Sequence, residues 1–220
     1  LPPRSTLFPY TTLFRSSVLW YTLRSMSSFS FPEPLAGYRV HLVGAKGTGM
    51  CALAELLSHR GASVSGSDVE DRFYTDAILA DMGIAVRPFS PDNVSLELDL
   101  VVHSAAYAPE RHPELMRAAE LGVRTLSYPE ALGAFSRRRF SCGIAGVHGK
   151  TTTTALAGSL VKGMGIRATV LAGSAVTSFG GRSTLHNGDD FFIAETSEYR
   201  RHVLNFSPCL ILLTDIGPEH

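Results

Sequence analysis

The sequence predicts an α/β protein, with a Rossmann-like parallel-sheet N-terminal domain followed by the start of a P-loop α/β domain. Three observations predict this class. Short apolar segments alternate with segments of helical periodicity from residue 39 to residue 135. The basic stretch SRRR at 136–139 interrupts the alternation, and a second alternating unit follows it. That unit opens with GIAGVHGKTTTT at 143–154, a glycine-rich segment between a predicted strand and a predicted helix.

The composition excludes several classes of protein. The 220 residues carry 20 basic and 20 acidic side chains, so no broad field attracts nucleic acid or an anionic membrane. The three cysteines are odd in number and far apart, which fits free thiols in a reducing compartment. The apolar run Val18–Tyr21 is too short for a signal peptide or a membrane span. We therefore expect a cytoplasmic protein that binds neither nucleic acid nor membrane.

Residues 1–36 are predicted to be a leader that is non-native or disordered. Its first part, LPPRSTLFPYTTLFRS, resembles a translated sequencing-adaptor scar. Met26 is then the expected true start, and a natural disordered leader is the alternative. The leader takes no part in the functional interpretation.

The first domain, predicted at 37–136, contains five strands joined by crossover connections, which implies a parallel sheet. Continuous apolar strands indicate helices on both faces. Ligands of such sheets bind beyond the carboxyl ends of the strands, where Gly44, Asp68 and Ser104 fall. The predicted strands are RVHLVG from Arg39, ASVSGSD at 62–68, 84–86, LDLVVHSAA at 98–106 and 123–126, and the predicted helices lie within 49–61 and at 75–82, 113–121 and 129–135.

The segment GAKGTGM, at the end of the first strand, predicts a binding turn for a nucleotide diphosphate. Gly44 and Gly49 flank the turn, and Asp68 follows at about the distance of a ribose-binding carboxylate, roughly 20 residues on. Lys46 stands where the dinucleotide fingerprint requires glycine, so nicotinamide is not specified. A tight turn that only packs a helix on a strand is the alternative.

The loop within GIAGVHGKTTTT predicts a site for the triphosphate of a nucleotide. Backbone N–H groups converge on an anion in such strand-to-helix turns, and Gly146 and Gly149 permit the unusual dihedral angles required. Lys150 adds a charge for the outer phosphates, and the Thr151 hydroxyl is placed for a magnesium ion. The general phosphate-loop pattern asks for glycine where Ile144 stands. A glycine-rich turn without a ligand is therefore the alternative.

The second domain, predicted at 137–220, also places an acid beside this loop. Glu195 ends an apolar strand, and a carboxylate there suits magnesium, which prefers oxygen ligands. Glu198 either shares that face or is a solvated surface charge. The chain stops directly beyond a last predicted buried strand, from which we expect a truncated domain. The predicted strands are FSCGIAG at 140–146, ATVLAG at 168–173, FFIAE at 191–195 and LILLTDI at 210–216, with a helix at 151–164.

Taken together, these segments resemble the Mur ligase family, from about Tyr38 to His220. GVHGKTTTT resembles the family's ATP loop. HLVGAKGTGM, GSD at 66–68 and VVHSAA at 101–106 resemble the member that joins L-alanine to UDP-N-acetylmuramate. The resemblance implies an N-terminal domain for the UDP part of the substrate, a central ATPase domain, and a third domain that is absent here.

The resemblance also assigns roles to individual residues. It implies two catalytic residues, Lys150 and Glu195, and three magnesium ligands, Thr151, Glu195 and His220. ATP would be bound by Gly146, Val147, His148, Gly149, Lys150, Thr151 and Thr152, and the UDP substrate by Gly44, Gly47, Thr48, Gly49, Met50, Asp68, Ser104 and Ala105.

The chain departs from the family pattern in two places. ETSEY replaces EADES, and TDIGPEH replaces TNI-x-x-DH. Glu219 thus stands for an aspartate and keeps a carboxylate, whereas Asp215 stands for an asparagine and loses an amide donor.

The reaction so implied forms an amide in two steps, with ATP and Mg²⁺ as cofactors. The lactyl carboxylate attacks the γ-phosphate of ATP, and L-alanine then displaces phosphate from the acyl phosphate. Three alternatives stay open: a sibling ligase that adds a preformed peptide, a nicotinamide-dependent oxidoreductase, and a non-catalytic nucleotide-binding module. We expect this chain alone to bind the UDP substrate with little turnover. The sequence does not indicate an oligomeric state.

Overall fold

The computed structural model describes residues 29–137, 139–196, 206 and 208–216. A first sheet of five parallel strands has the order β3-β2-β1-β4-β5, so the strand order reverses between β1 and β4. This order confirms the predicted Rossmann-like fold. Its strands are β1 Arg39–Val43, β2 Ser63–Ser67, β3 Val86–Arg87, β4 Leu100–His103 and β5 Thr125–Ser127, and its helices are α1 Thr48–His59, α2 Thr75–Asp81, α3 Pro113–Leu121 and α4 Tyr128–Ser136.

The ends of two helices follow directly from local sequence. Helix α3 begins with Pro113, whose fixed φ suits a first helical position, and it ends before Gly122 at φ 68°. Helix α4 begins with a capping box in which the Glu130 carboxylate accepts the Ser127 N–H at 2.8 Å. No helix among the described residues is both long and apolar enough to span a bilayer.

A second sheet follows, with the order β10-β6-β9-β7-β8. Strand β8 is antiparallel to β7, whereas the other described pairs are parallel. The sequence did not predict β8, because RSTLH mixes polar and apolar residues and gives no apolar run. The strands are β6 Phe140–Ala145, β7 Ala168–Val176, β8 Arg182–His186, β9 Phe191–Glu195 and β10 Leu210–Leu213, with helix α5 at Lys150–Gly163.

The last strand, β10, corrects one prediction. LILLTDI was expected to be a buried strand, yet every residue of β10 is exposed, from 40% at Leu212 to 58% at Ile211. The reason is position, because β10 lies at the end of the described sheet and pairs there with β6. An apolar run therefore identified the strand correctly but not its burial.

The C-terminal part of the predicted leader belongs to the folded protein. Phe31 and Leu35 are buried, and the Phe31 ring stacks on Phe135 with centroids 4.2 Å apart. The predicted leader boundary at 36 is therefore too late. Residues 1–28 lie outside the described residues, so the adaptor-scar interpretation of that stretch stays a prediction.

Helix α1 lies between the two sheets and is buried on all sides. All eight residues from Met50 to Leu57 are buried. The apolar cluster around them includes Leu42 of the first sheet and Phe192 of the second. Burying such side chains contributes about 1.5–3 kcal/mol each. Each sheet lies within one predicted domain, and the division into domains at residue 137 stays a prediction.

A polar network also fastens α1 to the second sheet. The fully buried Glu55 carboxylate accepts a hydrogen bond from Arg182 at 2.8 Å and another from the Thr184 hydroxyl. Arg182 also pairs with Asp81 on α2. Helices α1 and α2 are thereby linked to β8. Arg182 also compensates the buried negative charge of Glu55, which would otherwise destabilise the fold.

A second buried carboxylate, Glu114 on α3, links α3 to the strands. It accepts hydrogen bonds from the Ser67 hydroxyl at 2.5 Å, the Asn93 amide at 2.7 Å and the Ser90 N–H at 3.0 Å, and it lies 3.5 Å from His41. Burial alone would raise the pKa of Glu114, but these hydrogen bonds outweigh burial and lower the pKa to about 2.

We predict that Glu114→Gln lowers the free energy of unfolding by roughly 2–3 kcal/mol at pH 7, because hydrogen bonds to a buried charge are lost. The folded pKa of about 2 lies below the ordinary 4.5, so the wild type holds this stability above pH 4.5 and loses it as the pH falls towards 2. Urea unfolding at several pH values checks both effects.

The matched control is Glu120→Gln, on the same helix, where the carboxylate is 62% exposed and pairs with Arg117. It is expected to change stability by less than about 0.5 kcal/mol. Equal stability losses in the two variants would contradict the role given to Glu114.

Candidate nucleotide and metal site

The glycine-rich loop joins β6 to α5, as the sequence predicted. Strand β6 ends at Ala145 and α5 begins at Lys150. Gly146 and Gly149 have φ values of 138° and 77°, which residues with a side chain rarely adopt. Helix α5 begins at this loop, and the N-terminal end of a helix favours an anion. The Lys150 ammonium lies over the loop and donates to the carbonyl of Gly146 at 2.5 Å.

Glu195 meets the loop through Thr151. The Thr151 hydroxyl donates to the Glu195 carboxylate at 2.9 Å, and the same oxygen accepts the Gly173 N–H at 2.7 Å. A Cβ at residue 173 would lie 2.7–2.8 Å from that carboxylate, so a larger residue there would displace the carboxylate from this position. The register of β6 and β9, in which Ile144 pairs with Glu195, brings the carboxylate to the loop.

The donor set at this point fits magnesium. A threonine hydroxyl and a carboxylate are oxygen ligands, and Mg²⁺ commonly keeps several waters beside one or two carboxylates and the substrate's phosphates. The described residues contain no group of three or more His, Cys, Asp or Glu side chains that would hold a metal ion alone. His220, the third predicted ligand, lies outside the described residues, as do Glu198 and Glu219.

The segment that follows β10 lies against the same loop. The Thr214 hydroxyl donates to the carbonyl oxygens of His148 at 2.6 Å and Ala145 at 3.1 Å. The Asp215 carboxylate accepts the His148 N–H at 3.0 Å. That bond, with a further one from the Val147 N–H, lowers the pKa of Asp215. Sequence reasoning placed neither Thr214 nor Asp215 at the loop.

Thr152, which was also predicted to bind the nucleotide, lies in the first turn of α5 and is exposed. With Gly146, Val147, His148, Gly149, Lys150 and Thr151 it forms one continuous stretch from the loop into the helix. The assignment of these residues to ATP stays a prediction.

At the first sheet, the glycine turn is held by Asp68. Its carboxylate accepts hydrogen bonds from the backbone N–H of Lys46 at 2.7 Å and from that of the adjacent residue Val69 at 2.8 Å. The Lys46 ammonium bonds the carbonyls of Val69 and Asp71 and lies 3.3 Å from Asp76. Lys46, which breaks the dinucleotide fingerprint, therefore fastens the turn to the chain after β2.

The remaining predicted substrate residues surround this turn. Gly44 has φ 84°, and Gly47 precedes the first residue of α1, Thr48, whose hydroxyl accepts a hydrogen bond from Tyr74. The Met50 side chain is buried in the core, and its Cγ would lie 3.9 Å from a Cβ at Gly47. Ser104 and Ala105 follow β4, at the same edge of the sheet. Their roles in substrate binding stay predictions.

A cavity of about 220 Å³ opens beside Asp68, at the carboxyl ends of β2 and β3. This edge is where nucleosides bind to open α/β sheets. The walls combine charged groups with small apolar ones. The lining residues are Lys46, Asp68, Val69, Glu70, Val86, Arg87 and Pro88.

Tyr128 lies against the glycine turn of the first sheet and within electrostatic range of Glu195. A Cβ at Gly49 would lie 2.9 Å from Tyr128 Cζ and 3.1 Å from its hydroxyl oxygen. Burial raises the pKa of Tyr128, and the charge of Glu195 raises it further. The phenol thus contacts the glycine turn and is influenced electrostatically by the Glu195 carboxylate. Sequence reasoning assigned no role to Tyr128, which lies just before the helix predicted at 129–135, because its partners are distant in the chain.

Fold and site together define a phosphate-loop α/β protein with a Rossmann-like N-terminal unit. The model of the Mur ligase family, catalytic domain, matches residues 39–140. The chain is 56% identical over 196 residues to UDP-N-acetylmuramate–L-alanine ligase of Treponema pallidum, covering 89% of this chain and 41% of that protein. It belongs to the Mur ligase family, and it spans about two fifths of the length of the curated relatives it matches.

Solved structures agree with this assignment. The crystal structure of UDP-N-acetylmuramate–alanine ligase from Thermotoga maritima matches with a TM-score of 0.74 and 28% identity, covering 83% of this chain and 42% of that one. The UDP-N-acetylmuramate:L-alanyl-γ-D-glutamyl-meso-diaminopimelate ligase from Neisseria meningitides has the same TM-score of 0.74 at 23% identity, over 83% and 62% of the two chains. The second likeness establishes the fold alone.

We predict that Gly49→Ala destabilises the protein by about 1–3 kcal/mol, because the added methyl group overlaps the Tyr128 ring. Gly163→Ala is the control. It adds the same methyl group to a helix, with nothing within 4 Å, and should stabilise by up to about 1 kcal/mol. Chemical denaturation of both variants measures the difference, and a Gly49→Ala protein as stable as the wild type would refute the close packing of Tyr128.

Proposed function

We propose that this chain is the substrate- and nucleotide-binding part of an ATP-dependent ligase in peptidoglycan precursor synthesis. The ligase joins L-alanine to UDP-N-acetylmuramate through an acyl phosphate. The observation that carries the proposal is the 2.9 Å hydrogen bond between Thr151 and Glu195, which puts a loop hydroxyl and a strand-end carboxylate at one point. An isolated dinucleotide-binding sheet has no need of this arrangement.

The loop residues act on the triphosphate. Backbone N–H groups at the start of α5 bind phosphate oxygens, and the Lys150 ammonium moves from the loop carbonyls to the outer phosphates. Thr151 and Glu195 would hold Mg²⁺, which supplies positive charge that offsets the developing charge on the γ-phosphate. Both reactants are anions, so these cationic groups are what allows the carboxylate to approach.

The first sheet holds the other reactant. The turn at 44–49 and the N-terminus of α1 bind the diphosphate, and the cavity beside Asp68 takes the nucleoside. Tyr128 then lies between the sugar acid and the metal site, because it contacts Gly49 and feels the charge of Glu195. Holding both substrates in one orientation is the main contribution of the protein to rate.

Two competing functions are less well supported. A nicotinamide-dependent oxidoreductase has no use for a second, phosphate-binding loop beside Glu195, and Lys46 stands where the dinucleotide fingerprint requires glycine. A ligase that adds a preformed peptide shares the fold, but the relative with 56% identity is an L-alanine ligase. We also propose a cytoplasmic location, which the free cysteines Cys51, Cys142 and Cys209 support.

We predict that Lys150→Ala weakens ATP binding by about 1.5–3 kcal/mol, the worth of a hydrogen bond from a charged group. Lys162→Ala, in the last turn of the same helix, removes an equal charge far from the loop and is the control. Isothermal calorimetry on the full-length protein measures both. Unchanged ATP affinity in Lys150→Ala would count against the phosphate-loop assignment.

The full-length protein is expected to release phosphate from ATP only when UDP-N-acetylmuramate and L-alanine are both present, since the amine must displace phosphate from the acyl phosphate. The tripeptide L-alanyl-γ-D-glutamyl-meso-diaminopimelate is the comparison amine. Faster release with the tripeptide would point to the sibling ligase. Binding of NAD without binding of the UDP sugar would support the oxidoreductase. The 220-residue chain by itself is expected to bind the UDP sugar with little turnover.

A further inference from the structure

The chain after β10 brings a negative charge into the phosphate loop. Asp215 follows β10 by two residues, and its Oδ1 accepts the His148 N–H at 3.0 Å. A Cβ at Gly146 would lie 2.8 Å from the same oxygen. The carboxylate therefore lies against the loop while staying accessible to solvent.

The groups that Asp215 uses are those that a phosphate needs. The N–H of His148 donates to it, and the N–H of Val147 adds to the lowering of its pKa. Both residues lie between Gly146 and Gly149, in the stretch whose backbone N–H groups are expected to surround the triphosphate. One carboxylate oxygen thus occupies donors that a phosphate oxygen would occupy.

We infer that Asp215 is an internal competitor for the nucleotide, whose charge holds the affinity of the loop for ATP below what its backbone donors allow. The inference rests on the proposed function, because it requires the loop to bind ATP. An asparagine, which the family pattern has at this position, would offer a similar oxygen to the same N–H groups without the charge. The negative charge of Asp215 therefore lowers the affinity of the loop for ATP by electrostatic repulsion.

Asp215→Asn separates charge from hydrogen bonding. It keeps an acceptor of nearly the same shape. If Asp215 only holds the loop in place through hydrogen bonds, the substitution would leave the ATP affinity unchanged. Removing one like charge near a phosphate is expected to tighten Mg-ATP binding about fivefold at low ionic strength. The gain should shrink as salt is added, because an exposed charge is screened.

The experiment is isothermal calorimetry of the full-length protein with adenosine, ADP and Mg-ATP, at low and high salt. The control variant is Asp190→Asn, whose carboxylate is 58% exposed and pairs with Arg167. We expect Asp215→Asn to tighten ATP most, ADP less and adenosine not at all, and Asp190→Asn to change none of them. Thermal unfolding of each variant confirms that the proteins compared are folded.

Three results would overturn the inference while leaving the proposed function intact. They are unchanged ATP affinity in Asp215→Asn, weaker ATP affinity, or an equal gain for adenosine and ATP. Failure of the proposed function looks different, because the wild type and Lys150→Ala would then bind ATP equally weakly or not at all. If Asp215→Asn fails to fold, Asp215→Ser takes its place, because it also removes the charge and keeps an oxygen acceptor. Competition predicts the same tightening of ATP over adenosine in Asp215→Ser, shrinking as salt is added, and unchanged or weaker ATP affinity would overturn the inference.

Discussion

The hydrogen bond from Thr151 to Glu195 depends on the parallel register of β6 and β9, and the proposed chemistry depends on that bond. Parallel neighbours end at the same edge of a sheet, so the loop that follows β6 and the carboxylate that closes β9 meet without any long connection. The absence of a side chain at Gly173 leaves room for the carboxylate. A single edge of the second sheet thereby gathers an anion-binding loop, a hydroxyl and an acid.

Helix α1 joins the two sheets through its buried side chains. The helix carries the glycine turn at its N-terminus and is buried between the sheets, with Glu55 bonded to Arg182 of β8. Tyr128 packs against Gly49 of that turn and lies within electrostatic range of Glu195. On the proposed function, a change in the packing of this interface would change the separation of the two substrates.

Much of this arrangement could be predicted from the sequence, and the rest could not for a physical reason. Apolar periodicity and terminal glycines located most helices and strands. The motif around Lys150 and Thr151 was enough to predict a phosphate-binding loop between β6 and α5. Strand β8, the exposure of β10 and the burial of Phe31 depend on what packs against each segment, which periodicity does not encode. The contacts of Tyr128, Gly173 and Asp215 depend on registers between segments that lie far apart in the chain.

The central claim is that one metal–triphosphate is shared by the phosphate loop and the end of β9, facing the substrate held by the first sheet. A crystal structure of the full-length protein with Mg²⁺, a non-hydrolysable ATP analogue and UDP-N-acetylmuramate tests it most directly. The account predicts one magnesium ion in contact with both Thr151 and Glu195, and a lactyl carboxylate directed at the γ-phosphate. Lys150 and Glu195 engaged with separate ligands in separate regions would contradict it.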